Sequence, residues 1–175
     1  WLPYLSSSSQ AQVPPPPNPI TSSGLNTQVN LSATPPTGKV QYDITGGIRP
    51  EGGANLFHSF GDFNVPTNNI ANFLNETPNL TTSNILGRVT GRNVSNIFGT
   101  IQTTGFGNAN LFLMNPAGFL FGPNATVNVA GMVAFTTADY LKLADNARFN
   151  AIPNAAADAL LTALPVASFG FLGSN

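Results

Sequence analysis

Short runs of strand length organise the chain as far as residue 150. Segments 25–33 (LNTQVNLSA) and 38–48 (GKVQYDITGGI) alternate polar and apolar residues with a period of two, which predicts two β-strands. From Asn55 onward, further short blocks begin at a polar residue and end at Gly or Asn. Segment 154–164 (NAAADALLTAL) is the sole helical candidate, with Asn154 as its N-cap, and an extended loop is the alternative.

Several blocks recur along the chain. Asn-Leu-Phe at 55–57 recurs at 110–112, and SNILG at 83–87 recurs as SNIFG at 95–99. The spacing, about 12–14 residues, is too loose for a strict leucine-rich type of repeat. It favours strand–turn units that stack with corners of variable length, so both a β-sandwich and a β-solenoid remain open.

The strand cores favour the solenoid. Residues 111–114 (LFLM) and 119–121 (FLF) are apolar at consecutive positions, whereas a strand with one face in water alternates. Both runs are therefore expected to be covered on both faces, as in a parallel β-helix with extra elements packed on its outside. Asn residues at equivalent corners would then stack into amide ladders. A sandwich fits this pattern less well.

The tetrapeptide between these two runs, residues 115–118 (NPAG), has the residue types of a type I turn. Asn115 can bond the backbone two residues on, Pro116 has its φ preset, and Gly118 suits the last position. A type I turn twists against the strands of a two-residue hairpin. The sequence therefore predicts a corner between two strands that do not pair with each other.

Composition narrows the protein class. Only 7% of residues are charged, against roughly 25% in an ordinary soluble domain. The chain has 22 Asn, 17 Gly and 15 Pro, so its surface consists mainly of amides and hydroxyls, which is typical of secreted and cell-surface β-proteins. The absence of Cys excludes disulfides, cysteine-bound zinc and thiol nucleophiles. The net charge of −1 gives no reason to expect a nucleic-acid partner.

The first 19 residues differ from the rest. Residues 1–13 (WLPYLSSSSQAQV) resemble the end of a signal peptide, and a polar N-terminal arm is the alternative interpretation. Residues 13–19 (VPPPPNP) form a stiff, proline-rich spacer. We therefore place the folded domain at residues 20–175.

The sequence contains few of the residue patterns that are typical of enzymes. His58 is the sole histidine, and Ser59 and Asp62 lie close in sequence, but on an extended strand these side chains diverge. We therefore interpret His58 as a hydrogen-bonded structural residue. The seven acidic residues are dispersed, unlike the paired or clustered acids of β-helical hydrolases and lyases. We predict no catalysis, no cofactor, no metal and no small-molecule substrate.

Residues 78–141 resemble the two-partner secretion (TPS) domain, the N-terminal secretion domain of filamentous-haemagglutinin-like exoproteins, and most of all its cyanobacterial branch. The family carries the motifs Asn-Pro-Asn-Leu and Asn-Pro-Asn-Gly-Ile. The first matches residues 78–80, with Thr77 in place of the leading Asn. The second matches residues 115–119, with Ala117 and Phe119 in place of Asn and Ile.

Two flanking blocks extend the resemblance over roughly residues 40–173. Residues 55–65 (NLFHSFGDFNV) are similar to the family block that ends in Phe-Asn-Val, and residues 163–173 (ALPVASFGFLG) are similar to the close of the domain. The resemblance implies an all-β fold, a right-handed parallel β-helix with an N-terminal cap and an extra-helical hairpin or small sheet.

The same resemblance implies a function. The chain would be the secretion signal of a larger exoprotein, recognised in the periplasm by the POTRA domains of a dedicated outer-membrane transporter. It would leave through that transporter, become secreted or surface-exposed, and nucleate folding of the exoprotein's β-helix. A monomer is expected. An adhesive module that binds a glycan or host surface directly is the alternative.

The resemblance also supplies the candidate recognition residues, which are Phe63, Asn64, Val65, Pro78, Asn79, Leu80, Asn115, Pro116, Gly118 and Phe119. In one interpretation the segment 60–66 (FGDFNVP) only supplies core side chains. In the other, it lies near a sheet edge and pairs with a POTRA sheet by strand addition. We expect Arg88 and Arg92 to be solvated, and a role in guiding the encounter electrostatically is the alternative.

Overall fold

A computed structural model describes residues 18–173. Residues 1–17, with most of the predicted arm and spacer, lie outside the described residues. The strands within the described part are β1 (Ile20–Gly24), β2 (Thr27–Leu31), β3 (Val40–Gly46), β4 (Asn55–Phe63), β5 (Asn69–Leu74), β6 (Asn84–Val89), β7 (Ser95–Ile97), β8 (Thr100–Thr104), β9 (Asn110–Met114), β10 (Phe119–Phe121), β11 (Thr126–Asn128), β12 (Val133–Thr136), β13 (Tyr140–Leu143), β14 (Arg148–Asn150) and β15 (Val166–Gly170). A 3₁₀ turn, Pro50–Gly52, and one short helix, α1 (Ala155–Asp158), complete them.

The strands coil into a parallel β-solenoid of about three turns. Sheet A contains β4, β6, β9 and β12, and sheet B contains β3, β5, β8 and β11, each set parallel and in chain order. Sheet C contains β7 and β10, extended by a parallel bridge between Val65 and Ile97. The predicted all-β parallel β-helix is confirmed.

An antiparallel cap covers the N-terminal end. β1 pairs with β4 at the edge of sheet A, and β2 pairs with β3 at the edge of sheet B. Leu25 and Asn26, both with positive φ (51° and 53°), form the turn between β1 and β2. β4 therefore lies between β1 and β6, whereas Val65, which follows it, pairs with Ile97 at the N-terminal edge of sheet C.

The apolar strands of sheet A face two cores. Leu111 and Leu113 point into the solenoid, whereas Phe112 and Met114 point outward, where the antiparallel sheet β14–β13–β15 covers them. Residues 111–114 are thus buried on both faces, as predicted. For residues 119–121 the expectation is wrong: β10 is the last strand of sheet C, and Leu120 and Phe121 are 54% and 44% exposed.

A ladder of asparagines marks the start of three sheet A strands, β4, β6 and β9. Asn84 Nδ2 donates to Asn55 Oδ1 at 3.0 Å, and Asn110 Nδ2 donates to Asn84 Oδ1 at 3.2 Å. The ladder ends where the amide of Met132 donates to Asn110 Oδ1 at 3.0 Å. The predicted amide ladders are confirmed, and they fix the register between consecutive coils.

The helical candidate forms a single turn. In α1, Asn154 Oδ1 accepts a hydrogen bond from the amide of Ala157 at 3.1 Å, which confirms Asn154 as the N-cap. Beyond Asp158 the helix does not continue, and the chain reaches β15 as an irregular segment. The segment therefore combines both sequence-based alternatives.

Candidate functional site

One corner of the solenoid gathers most of the candidate residues. It consists of the three connections from sheet A to sheet C, residues 63–65, 90–94 and 115–118, stacked in consecutive coils. We call it the A–C corner. Two of the three candidate blocks, 63–65 and 115–118, lie here, with 90–94 between them.

Asn115 anchors the third connection. Its Nδ2 donates to the carbonyl of Asn93 and to Ser95 Oγ, both at 2.9 Å, and its Oδ1 accepts from the amide of Ala117 at 3.0 Å. The amide of Gly118 donates to the carbonyl of Asn115 at 2.9 Å, which closes the turn. The side chain is fully buried. β9 and β10 belong to different sheets, so the corner without a hairpin is confirmed.

The first connection, residues 63–65, is held by the core and by the cap. Phe63 and Val65 are buried inside the solenoid, and the ring of Phe63 packs 5.0 Å from that of Phe60. The amide of Asn64 donates to the carbonyl of Pro19 at 2.9 Å, and its Oδ1 accepts from the amide of Asn96 at 2.9 Å. Asn64 therefore ties the cap to the second coil.

The first tetrapeptide motif lies elsewhere. Residues 77–80 precede β6, whereas residues 115–118 follow β9, and β6 and β9 are parallel neighbours in register. The two motifs consequently lie at opposite ends of sheet A. Pro78, Asn79 and Leu80 are exposed, and the amide of Leu80 donates to the carbonyl of Thr77 at 3.0 Å.

Comparison with known families decides the identity. The sequence model of the TPS secretion domain matches residues 19–167, most of the chain. The chain belongs to the TPS secretion domain family. A search of curated proteins finds no match. Membership assigns this TPS domain to a secreted exoprotein of a two-partner system, with a cognate transporter as its partner.

In the TPS domain, the side chains of His58, Ser59 and Asp62, which are the residue types of a catalytic triad, point in different directions. His58 points into the solenoid, where its Nδ1 shares a 3.1 Å hydrogen bond with Thr27 Oγ1. Ser59 points outward and contacts Ser23 Oγ at 2.8 Å, while Asp62 accepts from Asn93 Nδ2 at 2.9 Å. Burial lowers the pKa of His58 to about 3, so the ring is neutral near neutral pH.

The expectation that Arg88 is solvated is wrong. Arg88 is only 2% exposed and forms a bidentate ion pair with Asp158, with two contacts of 2.8 Å. It also donates to Ser59 Oγ at 2.9 Å and to the carbonyl of Asn150 at 3.1 Å, and its guanidinium lies 5.1 Å from the ring centre of Phe149. One side chain of the TPS domain thus fastens the extra-helical part to two coils. Arg92, in contrast, is exposed as expected.

Residues 18–173 lack two further features. No group of three or more His, Asp or Glu side chains lies close enough together to hold a metal ion. None of the helices has the length and apolar character that a membrane crossing requires.

Proposed function

We propose that this TPS domain is the secretion signal of its exoprotein, recognised in the periplasm by the POTRA domains of the cognate outer-membrane transporter. We further propose that, after export, its last coil nucleates folding of the β-helix that follows. Family membership supports the first part. The second part, nucleation of folding, is supported by the difference between the two ends of the solenoid. This difference is the main observation behind the proposal.

The two ends differ in how they terminate the sheets. β1 and β2 cap the N-terminal end, whereas β10, β11 and β12 are the last strands of their sheets at the other end. Exposed edge strands are usually protected by charges, especially Lys, or by bulges. Residues 93–138, which include these three edge strands, contain no Asp, Glu, Lys or Arg. Met132 is 59% exposed and Val127 is 41% exposed. Such an end favours the addition of another coil.

The path of the chain fits this role. After β12 the chain leaves the solenoid for the extra-helical sheet and then returns to its point of departure. The amide of Asp139 donates to the carbonyl of Gly170 at 2.8 Å, and the amide of Leu172 donates to Asp139 Oδ2 at 2.6 Å. Residues 140–170 are thus an insertion whose ends meet. A following segment would begin next to the open end of sheet C.

Energetics support nucleation by an existing coil. In a solenoid each coil contacts mainly its neighbours, so stability is a sum of coil and interface contributions. A coil that adds to formed edges gains sheet hydrogen bonds at once and buries apolar surface at about 25 cal/mol per Å². Folding of successive coils outside the cell would then favour export in one direction.

The candidate residues divide by exposure into two groups with different proposed roles. Phe63, Val65 and Asn115 are buried, so we propose that they act by holding the A–C corner in shape. Exposed or half-buried residues are the candidates for direct contact with the transporter, namely Asn64, Pro78, Asn79, Leu80, Pro116, Gly118 and Phe119.

Export of corner variants tests the proposal. We expect Asn115→Ala and Phe63→Ala to reduce the extracellular amount of exoprotein when the cognate transporter is co-expressed. Asn30→Ala, which removes an exposed Asn from β2 in the N-terminal cap, is the matched control and should be exported normally. Normal export of both corner variants, at wild-type folding stability, would contradict the assignment of the corner.

A further inference from the structure

A groove lies at the corner where the chain passes from sheet B to sheet A. Its two walls are the connection from β5 to β6, residues 75–83, and the connection from β8 to β9, residues 105–109, stacked in consecutive coils. Its volume is about 540 Å³, within the size range of small-molecule sites. We call it the B–A groove. It lies at the opposite end of sheet A from the A–C corner.

Backbone and amide contacts hold both walls of the B–A groove in place. The amide of Ser83 donates to the carbonyl of Ala54 at 2.8 Å, and the amide of Asn110 donates to the carbonyl of Ser83 at 2.9 Å. Asn75 Nδ2 donates to the carbonyl of Gly105 at 2.8 Å and so joins one wall to the other. The groove is therefore preformed, and a ligand does not have to order it.

Several polar side chains of the B–A groove are free to bind a ligand. Asn79, Thr81 and Asn108 are exposed, and the hydrogen bonds among residues 18–173 do not engage their side chains. An asparagine amide and a threonine hydroxyl can each both donate and accept hydrogen bonds. The groove thus presents donors and acceptors together, which suits hydroxyl and amide groups.

The charges around the B–A groove favour neither an anion nor a cation. The described residues that line it include no Asp, Glu, Lys or Arg. Glu76 and Arg49, which have opposite charges, line the adjacent cavity. Arg49 is already engaged, since it donates to the carbonyl of Thr81 at 3.3 Å and to Thr82 Oγ1 at 2.8 Å. A neutral ligand therefore fits this groove best.

The position of the groove disfavours a peptide that binds by strand addition. The strands that the two connections join, β5, β6, β8 and β9, all have neighbours on both sides in their sheets. In the described part of the chain these strands consequently offer no free edge along the groove, and side chains have to hold the ligand.

We propose that the B–A groove binds a neutral glycan that carries N-acetyl groups. The hydroxyl and amide groups of such a sugar pair with Asn79, Thr81 and Asn108. Its acetyl methyl group packs against Leu80, which lines the groove and is 39% exposed. This binding site goes beyond the secretion role and does not depend on it.

Two substitutions remove polar groups from the groove without touching the core. Asn108→Ala removes an exposed amide, and Thr81→Val replaces an exposed hydroxyl by a methyl group. Neither residue is among the candidates for contact with the transporter, so glycan binding and export can be tested separately. The matched controls are Asn30→Ala in β2 and Thr67→Val in the turn before β5, both exposed and both outside the groove.

The experiment titrates the purified chain with the tetramer of N-acetylglucosamine and, separately, with the tetramer of glucose, which is also neutral but lacks the acetamido group. Backbone amide chemical shifts report both the affinity and the location of binding. For the wild type we expect saturable shifts at residues 79–83 and 105–108, and several-fold tighter binding of the N-acetylated tetramer. Asn108→Ala and Thr81→Val should each weaken binding about fivefold, as the loss of one hydrogen bond predicts. The two controls should bind as tightly as the wild type.

Several results would overturn the proposal. These are shifts with the N-acetylated tetramer that are absent, do not saturate or lie elsewhere on the domain, groove variants that bind it like the wild type, and equal affinity for the glucose tetramer. A purified POTRA segment that binds the wild type and binds Asn108→Ala more weakly would assign the groove to a protein instead. We expect normal export of both groove variants, so failure of this proposal leaves the proposed secretion function standing.

Discussion

Acidification should destabilise this domain through His58. The ring is 1% exposed, its centre lies 6.0 Å from that of Phe60 and 5.7 Å from that of Phe73, and it shares one hydrogen bond with Thr27. Burial lowers the pKa of His58 from 6.5 in the unfolded chain to about 3 in the fold. The unfolded state therefore binds the proton more strongly, and stability falls as the pH drops below 6.5.

The size of the effect follows from the two pKa values. Each unit of pH below the unfolded pKa costs about 1.4 kcal/mol until the folded pKa is reached. Between pH 7 and pH 5, the free energy of unfolding should fall by about 2 kcal/mol. Most carboxylates remain ionised in this range, so the change reports on the histidine.

Urea unfolding at several pH values between 7 and 5 measures the effect. His58 is the sole histidine of the chain, so His58→Gln removes the titrating group while keeping a side chain that can bond Thr27. The variant should show a nearly flat pH dependence, whatever its absolute stability. A wild-type protein with constant stability over this range, or a variant with the wild-type slope, would refute the reasoning.

Three further substitutions probe contacts between coils and with the extra-helical part by urea unfolding. Asp158→Asn leaves Arg88 buried without its counter-ion and should cost about 3–5 kcal/mol, and a loss below about 1 kcal/mol would contradict the importance of that ion pair. Asn84→Ala breaks the middle of the amide ladder, with an expected cost of about 2–3 kcal/mol, whereas Asn128→Ala should change little. In Gly91→Ala the added Cβ would clash with the carbonyl oxygen of Gly61 in the preceding coil, so a loss of about 1–3 kcal/mol is expected. Unchanged stability would contradict the close packing.

The solenoid was predictable because a strand that is buried on both faces is apolar at consecutive positions of the sequence. Residues 111–114 are apolar at every position, and only a strand covered inside and outside accommodates that pattern. The turn at 115–118 was predictable for a local reason. Its hydrogen bonds join residues two or three positions apart, so the residue types alone specify them.

The length of the coil was not predictable from the repeats. Equivalent asparagines are 29 and then 26 residues apart, because the corner connections differ in length. The recurrence of Asn-Leu-Phe reflects true equivalence, since 55–57 and 110–112 both lie in sheet A. The recurrence of SNILG as SNIFG does not reflect structural equivalence, since residues 84–87 belong to sheet A and residues 95–97 belong to sheet C.

Contacts between residues that are distant in sequence were also not predictable. Arg88 is a lone charge in the run 84–89, and its partner Asp158 follows 70 residues later in a segment with no strong pattern. Sequence spacing contains no signal that would pair them. The exposure of β10 was missed for a related reason. An apolar run predicts that both faces of its strand are covered, but it does not identify the segment that covers them.

We propose above that this domain directs its exoprotein through a cognate transporter. Cell fractionation with and without that transporter, at matched expression of the exoprotein, tests it most directly. We predict that the exoprotein appears outside the cell only when the transporter is present and residues 18–173 are intact. Equal export without the transporter, or unchanged export after deletion of this domain, would contradict the account.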